Sequence, residues 1–327
     1  MTFFKVDAKF IDQVRNICGT NYVFSDEESL LAYSRDETED LSYLPEIVVK
    51  PGTVEEISAL VKLCNQCKIP VTPRGAGTGL SGAALPVHGG VLLSIERFNK
   101  ILTIDERNFQ ATVESGVITQ VFQEAVIAKG LFYPVDPSSR GSCYLGGNLA
   151  LSSGGPRAVK YGITREYVLN LEVVLPTGEV IWTGANVLKN STGYNLTQLM
   201  IGSEGTLGII TKIVFKLLPY PSRDLVMLVP FRSAQQACEA VNAIMLSGVC
   251  PSALEFMERE AIEWSCRYLN IPFDVKEDIE AHLLIEVDGN EMELLQKDAE
   301  KLYEVVSKYD VEDPLLGDTA QLKASLN

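Results

Sequence analysis

The sequence predicts an α+β protein of two domains. A capped helix between two short apolar strands forms a β-α-β unit over residues 46–72, and this unit runs directly into a loop with four glycines in eight positions, Gly75 to Gly82. After Pro219-Tyr220-Pro221 the pattern changes to longer strands alternating with amphipathic helices. At 327 residues the chain is long enough for two ordinary hydrophobic cores.

Short strands and capped helices order the first part of the chain. Thr53 and Glu56 form a capping box, and the apolar stripe that follows predicts a helix ending near Lys68. A later helix is predicted to stop at Gly130, because glycine readily ends helices in the left-handed conformation. The other elements predicted here are a helix at 10–17, an acidic connection at 25–40, a helix at 118–129, and strands at 46–50, 69–72, 91–95, 101–105 and 111–114.

The remaining elements become longer towards the carboxyl end. Ser233 and Gln236 cap a helix whose apolar stripe runs to a stop at Gly248. Strands and helices alternate on both sides of it. The predicted strands lie at 171–175, 179–183, 209–218, 223–230 and 282–288, and two further helices lie at 258–269 and 291–308.

The glycine-rich loop between Pro73 and Pro86 is the clearest sign of a ligand. Glycine inside an element costs about 0.5–1 kcal/mol relative to alanine, so a cluster of glycines needs a compensating role. Without β-carbons, successive backbone N–H groups can point at one place, which is how a chain holds a diphosphate. The alternative is a mobile surface loop. We interpret the loop as a diphosphate site.

Two other phosphate-binding motifs are excluded. Gly77 to Gly82 matches G-x-G-x-x-G, and Glu96 follows at the end of the next apolar run, as a ribose-binding acid would. In a Rossmann unit, however, these glycines open a helix, and the connector Ala83 to Gly90 is too short and too rich in glycine and proline to be one. The Walker pattern also fails, because no Lys-Ser or Lys-Thr closes the loop.

Two further stretches are as rich in small residues as the first loop. One runs from Pro134 through Ser138, Ser139 and Gly146-Gly147 to a segment of small residues ending at Gly155, which suits a flat ring. The other, Gly202 to Ile209, places glycines on both sides of a lone carboxylate. We expect all three stretches to line one groove.

The composition of the chain limits the kinds of partner that it can bind. A formal net charge of −15 argues against a nucleic-acid partner, whose phosphates require a basic face. No apolar run is long enough to cross a bilayer, and the first residues lack the basic and apolar zones of a signal peptide. We therefore expect a cytoplasmic protein with no transmembrane segment.

Cysteine and histidine usage gives no sign of a metal or nucleophilic site. Cys64 and Cys67 form C-x-x-C, but they also continue a helical apolar stripe, so buried core thiols are favoured over a redox pair. The two histidines, His88 and His282, are far apart in sequence and are interpreted as structural. A Ser-His-Asp triad or a histidine-rich metal site is not expected in this chain.

Six motifs taken together resemble the flavin-binding domain of the vanillyl-alcohol oxidase type. The resemblance is to the branch with the glycolate oxidase flavin subunit and the flavin-linked D-lactate and D-2-hydroxyglutarate dehydrogenases, and it is strongest over residues 45–219. The ordered set is highly specific, although no single motif is. The motifs are Pro-Arg-Gly-Ala-Gly-Thr-Gly-Leu-Ser-Gly from Pro73, Asp-Pro-Ser-Ser from Asp136, Gly-Gly-Asn from Gly146, Gly-Gly-Pro-Arg-Ala-Val-Lys-Tyr-Gly from Gly154, Ser-Thr-Gly-Tyr-Asn-Leu from Ser191, and Gly-Ser-Glu-Gly-Thr-Leu-Gly-Ile-Ile-Thr from Gly202.

The resemblance implies a PCMH-type FAD-binding domain of two α+β subdomains over residues 1–220, with a core at about 42–220. An incomplete ferredoxin-like cap domain would follow over 221–327. The first loop would wrap the diphosphate, the second stretch would line the ribityl chain and isoalloxazine ring, and the third would border the adenosine end. The implied cofactor-binding residues are Pro73, Arg74, Gly75, Ala76, Gly77, Thr78, Gly79, Leu80, Ser81, Pro137, Ser138, Ser139, Gly146, Gly147, Asn148, Ser152, Gly154, Gly155, Glu204, Gly205, Leu207, Gly208 and Ile209.

The resemblance also implies an activity, the oxidation of a small D-2-hydroxy acid to the 2-oxo acid by hydride transfer to flavin N5. Several relatives attach the flavin to a histidine where this chain has Thr78, so FAD is expected without a covalent bond. Relatives continue into a segment with metal-binding histidines and a Glu-His pair, so a divalent metal such as zinc is expected only in a longer chain.

No catalytic residue is assigned within these residues. Arg157 and Lys160 lie near the segment expected to face the ring, and simple solvation of both is an open alternative. Electrons would pass to a quinone, a cytochrome or an electron-transfer flavoprotein, and a homodimer is an expectation. The alternative function is a non-catalytic FAD-binding subunit or fragment of a larger oxidase complex.

Overall fold

The computed structural model describes residues 3–270 and 275–317, which divide into two compact units. The first unit comprises the described residues up to Tyr133 together with Pro137–Ser153 and Ile163–Pro219. The second comprises Pro134–Asp136, Gly154–Gly162 and the described residues from Tyr220 onwards. The chain therefore contributes two short segments to the second unit before the continuous part that starts at Tyr220. Residues 318–327, which the sequence assigns to the second domain, lie outside the described residues.

A four-stranded sheet begins the first unit, with strand order β1-β2-β4-β3. Strands β2, β4 and β3 are parallel, and β2 and β4 are buried along their whole length, as expected of parallel strands covered by helices. Helix α3 is capped by Thr53 as predicted, and its apolar stripe joins this core. The elements are α1 (Ala8–Cys18), β1 (Val23–Phe24), α2 (Glu27–Ala32), β2 (Ile47–Val49), α3 (Val54–Cys67), β3 (Val71–Arg74) and β4 (Val91–Ser94).

A five-stranded antiparallel sheet, order β5-β6-β10-β8-β9, forms the other half of the first unit. A two-stranded sheet pairs β7 with β11. The first unit thus consists of two α+β halves, as expected. The elements are β5 (Ile101–Asp105), β6 (Gln110–Glu114), α4 (Thr119–Ile127), β7 (Leu131–Phe132), α5 (Leu145–Leu151), β8 (Val168–Val174), β9 (Val180–Trp182), α7 (Leu196–Met200), β10 (Ile209–Lys216) and β11 (Leu218–Pro219), with α6 (Ala158–Tyr161) in the second unit.

The second unit contains an antiparallel sheet in the order β13-β14-β12-β15. With helices α8 and α10 packed on it, this is the β-α-β-β-α-β arrangement of ferredoxin-like domains. Alternate residues of β12 and β14 face the helices and form the core, which is the period-2 pattern of a sheet covered on that face. The elements are β12 (Arg223–Phe231), α8 (Ala234–Leu246), β13 (Ala253–Glu258), α9 (Arg259–Leu269), β14 (Ala281–Gly289), α10 (Met292–Val306) and β15 (Leu315–Gly317).

Several elements differ from the sequence predictions. Helix α2 lies inside the stretch expected to be an acidic connection, where Asp26 caps it by accepting a hydrogen bond from the Ser29 N–H. Helix α5 contains Gly146-Gly147, and glycine disfavours helices by about 1 kcal/mol, so local propensity does not predict it. Strand β3 extends to Arg74, two residues beyond the prediction. Within residues 3–270 and 275–317, no helix is both long and apolar enough to cross a bilayer.

Candidate functional site

The three glycine-dense stretches line one cleft, and the cleft lies entirely within the first unit. Its empty volume is about 930 Å³ including the open mouth. Gly77 comes from the loop after β3, Gly147 from α5 and Gly205 from the loop before β10. Segments far apart in sequence therefore meet at one place.

The three segments lie close together, and at Gly205 there is no room for a side chain. A β-carbon on Gly75 would lie 3.5 Å from the α-carbon of Gly147, and one on Gly205 would lie 2.5 Å from Pro73 Cγ. Gly205 also has a φ of +75°, a conformation that side chains disfavour. Gly205 thus allows the third segment to pack against Pro73, and Gly75 lies at ordinary contact distance from Gly147 of the second.

Arg74 lies directly beneath the first loop. Its side chain is buried, with the residue only 8% exposed, and its Nη1 atom has no hydrogen-bond partner among the described residues. The guanidinium lies over the Tyr33 ring, with Cζ 5.6 Å from the ring centroid. A buried cation without a hydrogen bond is costly unless a ligand compensates for it.

Asp36 lines the same cleft and also has a buried polar atom without a hydrogen-bond partner among the described residues. Its Oδ1 accepts a hydrogen bond from the Thr38 N–H, and its Oδ2 is buried without a partner among the described residues. Burial lowers the pKa of Arg74, and the charge of Asp36 acts in the opposite direction. Two unsatisfied charged groups and a glycine cradle fit a ligand that carries both phosphate oxygens and hydrogen-bond donors, as FAD does.

The segment after α2 holds the glycine loop in place. Thr38 Oγ1 accepts a hydrogen bond from the Gly82 N–H at 2.7 Å, and the Glu37 N–H donates to the Gly79 carbonyl at 3.2 Å. No motif marks this segment in the sequence. Its contact with the glycine loop depends on the tertiary fold.

The third segment is tied to helix α5. The Gly202 N–H donates to the Leu149 carbonyl and the Glu204 N–H to the Ala150 carbonyl, at 2.9 and 3.0 Å. Glu204 adopts a φ of +53°, unusual for a residue with a side chain. The strain is typical of a residue whose surroundings fix the backbone at a ligand site.

The structure separates the predicted site residues into two groups. Leu80, which is 76% exposed, does not line the cleft, and neither do six other predicted residues. Gly154 and Gly155 belong to the second unit. The six are Ser81, Pro137, Ser138, Ser152, Leu207 and Gly208. The predicted residues that line the cleft are Pro73, Arg74, Gly75, Ala76, Gly77, Thr78, Gly79, Ser139, Gly146, Gly147, Asn148, Glu204, Gly205 and Ile209.

The cleft also contains residues outside the predicted cofactor-binding set. Most are small or apolar and carry no chemical signal in a sequence, but Asp36, Cys143, Tyr144 and Ser153 have polar groups. Gly155 is explained by packing in the second unit, since a β-carbon there would overlap the backbone of Asp136. Asp36 and Ile95 also lie outside the three small-residue stretches and the six motifs, whereas the other lining residues outside the predicted set lie within them, namely Ala83, Ala84, Cys143, Tyr144, Ala150, Leu151, Ser153 and Ile210.

Arg157 and Lys160, both in the second unit, are not simply solvated. Arg157 contacts Glu286 at 3.1 Å and Asp136 at 3.6 Å, and Lys160 Nζ lies 2.5 Å from Asp288 Oδ1. Burial raises the pKa of the Glu286 carboxyl, although the Arg157 charge and the Ser252 hydroxyl oppose the shift. These cations therefore neutralise buried carboxylates of the sheet.

Fold and cleft together fit the class of proteins that bind a dinucleotide cofactor. Family comparison agrees: residues 45–184 match the family described as "FAD binding domain", and residues 220–326 match "FAD linked oxidases, C-terminal domain". The chain belongs to the FAD-linked oxidase family, and FAD is its cofactor.

Two curated relatives and one solved structure illustrate the similarity. The chain is 40% identical to a D-lactate dehydrogenase of Anaerostipes hadrus, over 98% of this chain and 68% of that protein. It is 39% identical to the glycolate oxidase subunit GlcD of Bacillus subtilis (strain 168), over 91% of this chain and 63% of that one. A structure of p-cresol methylhydroxylase with substrate bound shares the fold, with a TM-score of 0.73, 21% identity, and coverage of 96% and 66% of the two chains. The chain thus spans about two thirds of the length of these relatives.

Proposed function

We propose that this chain holds one FAD non-covalently in the glycine-lined cleft, within a protein that oxidises a small D-2-hydroxy acid to the 2-oxo acid. The observation that carries the proposal is the meeting of Gly77, Gly147 and Gly205 in one cleft. The names of the relatives, a D-lactate dehydrogenase and a glycolate oxidase subunit, support the substrate class.

In this proposal, the backbone N–H groups of the loop from Gly75 to Gly79 bind the diphosphate, and the buried charge of Arg74 lies behind them. The face of α5 at Gly147 and Asn148 lies along the rest of the cofactor. Thr78 provides no histidine for a covalent link. Bound FAD supplies the redox chemistry by accepting a hydride from the substrate carbon.

The chain's own part in the reaction would be to place the cofactor and exclude water from it. Oxidation of a 2-hydroxy acid also needs a base for the hydroxyl proton and a cation for the carboxylate. Arg157 and Lys160 are engaged with Glu286, Asp136 and Asp288, so we assign neither role to them.

A second candidate is a non-catalytic FAD-binding subunit of a larger oxidase. The observation in its favour is that one of the relatives is itself named a subunit. Reduction by substrate distinguishes the two candidates, because both bind FAD and only the enzyme transfers a hydride. The electron acceptor, partner subunits, a homodimer and a cytoplasmic location stay predictions.

The test is a spectrum of the purified chain followed by acid precipitation and anaerobic addition of substrate. We expect a flavin spectrum with about one FAD per chain, all of it released into the acid supernatant. D-lactate or glycolate, but not L-lactate, should bleach the flavin of a competent oxidase. Pigment that stays with the precipitate would contradict non-covalent binding, and a flavin bleached by none of these acids would support the subunit.

A further inference from the structure

Asn148 is a buried polar side chain on the cleft-lining helix α5. The residue is 3% exposed and lines the cleft. Its side-chain Nδ2 donates to Thr119 Oγ1 at 2.6 Å, whereas its Oδ1 receives no hydrogen bond from any described residue. Among the described residues, Oδ1 is not one of the fully buried side-chain atoms that lack a hydrogen-bond partner, and the residue that carries it lines the cleft.

Thr119 fixes which end of the Asn148 amide faces the cleft. Thr119 begins helix α4, is fully buried and does not line the cleft. Its Oγ1 lies 3.4 Å from the Cys143 carbonyl and 3.3 Å from Cys143 Sγ. A hydroxyl has one proton to donate, and donation to the Cys143 carbonyl leaves the oxygen to accept from the amide of Asn148. The amide nitrogen is thereby held inside, and the acceptor oxygen is presented outside.

We infer that Asn148 Oδ1 accepts a hydrogen bond from a neutral donor group of the bound cofactor, and that Thr119 is the positioning residue for this contact. The inference rests on the proposed binding of FAD in this cleft. A carbonyl oxygen cannot contact phosphate oxygens favourably, because both are acceptors. The α5 side of the cleft therefore takes a donor-bearing part of FAD, and the diphosphate lies on the glycine-loop side, where Arg74 provides a positive charge.

Three kinds of group in FAD offer such a donor. They are the imide N–H of the isoalloxazine ring, a hydroxyl of the ribityl chain or of the ribose, and the exocyclic amino group of adenine. Three fragments separate them: lumiflavin carries the ring without a sugar, riboflavin adds the ribityl chain, and ADP carries the adenosine end. Affinity for FAD and for each fragment is measured by calorimetry or by flavin fluorescence.

Replacements at Asn148 test which atom makes the contact. Asn148→Leu has nearly the same shape without polar groups and should weaken FAD binding at least tenfold, because the donor of the ligand loses its partner. Asn148→Asp keeps an acceptor in the same place, and the Thr119 hydroxyl can turn to donate to it. If the donor belongs to the flavin half, we expect the affinity of Asn148→Asp for lumiflavin or riboflavin to stay within about threefold of wild type. If the donor is in adenosine, we expect its affinity for ADP to stay within the same limit.

Replacements at Thr119 test the positioning role. Thr119→Val removes the hydroxyl at nearly constant volume and should weaken binding of the same fragment by about three- to tenfold, although residue 119 does not line the cleft. Thr119→Ser retains the hydroxyl and should restore wild-type affinity. A purely structural role would affect all fragments alike, so fragment selectivity separates positioning from general damage.

The outcomes are distinct. Wild-type chain that binds no FAD would refute the proposed function together with this inference. If the wild-type chain binds FAD and Asn148→Leu binds FAD and every fragment with unchanged affinity, the inference alone is refuted. The inference is also refuted if Asn148→Asp binds every fragment as weakly as Asn148→Leu does, because the contact would then belong to the amide N–H. Thermal unfolding of each apo variant checks that it folds. If Asn148→Leu does not fold, Asn148→Asp and the two Thr119 variants decide the question.

Discussion

The α-carbon of Gly77 lies against the guanidinium of Arg74, so closely that a β-carbon on residue 77 would overlap Nη2 and Cζ. Gly77 also has a φ of +75°. One position therefore needs glycine for two reasons, the backbone conformation and the buried cation beneath it. This relationship explains how a loop presenting backbone N–H groups can lie directly over a positive charge.

Gly77→Ala is expected to destabilise the apo protein by about 1–3 kcal/mol, because it combines left-handed strain with overlap against Arg74. It should also weaken FAD binding at least tenfold. Arg74→Ala opens space for the new β-carbon, so the double variant should be destabilised by less than the sum of the single changes. Urea denaturation of the four proteins measures the coupling, which we expect to be at least about 0.5 kcal/mol.

Additive effects in this cycle would contradict the contact between the two residues. Gly130→Ala is the matched control for backbone strain, because Gly130 has a similar φ of +71° with no atom within 4 Å of an added β-carbon. It should lose stability through strain alone, keep its FAD affinity and show no coupling to Arg74→Ala.

Gly147 should behave in the opposite way from its neighbour Gly146. A β-carbon on Gly147 meets no protein atom within 4 Å and would project into the cleft, whereas one on Gly146 would lie 2.7 Å from Ser115 Cβ. Gly147→Ala should therefore stabilise the apo protein by up to about 1 kcal/mol through helix propensity, yet weaken FAD binding at least tenfold. Thermal unfolding and FAD titration measure the two effects.

Gly146→Ala is the control for that experiment and should destabilise the apo fold through steric overlap. If Gly147→Ala left FAD affinity unchanged, the space above α5 would not hold the cofactor. If it lowered the stability of the apo protein, packing rather than a ligand would explain the glycine.

Local sequence patterns predict much of the fold because local physics dominates there. The capping box at Thr53 and the stripe after it correctly predict α3, and the glycine loop follows β3 as expected. Helix α5 was missed because two glycines oppose it, and its stability comes from tertiary packing. Asp36 was missed at the cleft for a similar reason, since an acidic residue in a polar connection carries no signal until the chain folds over the glycine loop.

The sequence also could not show that 134–136 and 154–162 belong to the second unit. Their anchors, Glu286 and Asp288, lie more than a hundred residues away on β14. Contacts between residues so far apart along the chain produce no periodic pattern in the sequence. By contrast, the ordered set of motifs was enough to indicate the cofactor, because four of the six motifs contribute residues to one cleft.

The pH dependence of stability should reveal the buried carboxyl of Glu286. Burial raises its folded-state pKa above the unfolded value of about 4.3. The stabilising contribution is therefore complete below about pH 4.3 and is lost as the pH rises through the raised value. Glu286→Gln cannot titrate, so the wild-type free energy of unfolding minus that of the variant should fall between pH 4 and pH 7. Urea denaturation followed by circular dichroism measures it, and a difference that rises with pH would contradict the direction of the shift.

Thiol reactivity should separate the cysteines by burial. Burial raises the pKa of Cys18 and Cys64 to about 12, so neither forms thiolate at pH 8, whereas Cys238 and Cys250 are exposed. Alkylation at pH 8 followed by peptide mass spectrometry should label the two exposed residues at once and the two buried ones only in denaturant. If Cys64 were labelled as fast as Cys238, the result would support a redox role for the C-x-x-C motif.

The central claim is that three distant segments bind a single cofactor, and hydrogen–deuterium exchange with and without FAD tests it most directly. We expect added FAD to slow exchange together in the peptides that contain Gly77, Gly147 and Gly205, with little change in those of α8 and α10. Protection confined to one of the three segments, or absent from all of them, would contradict the account.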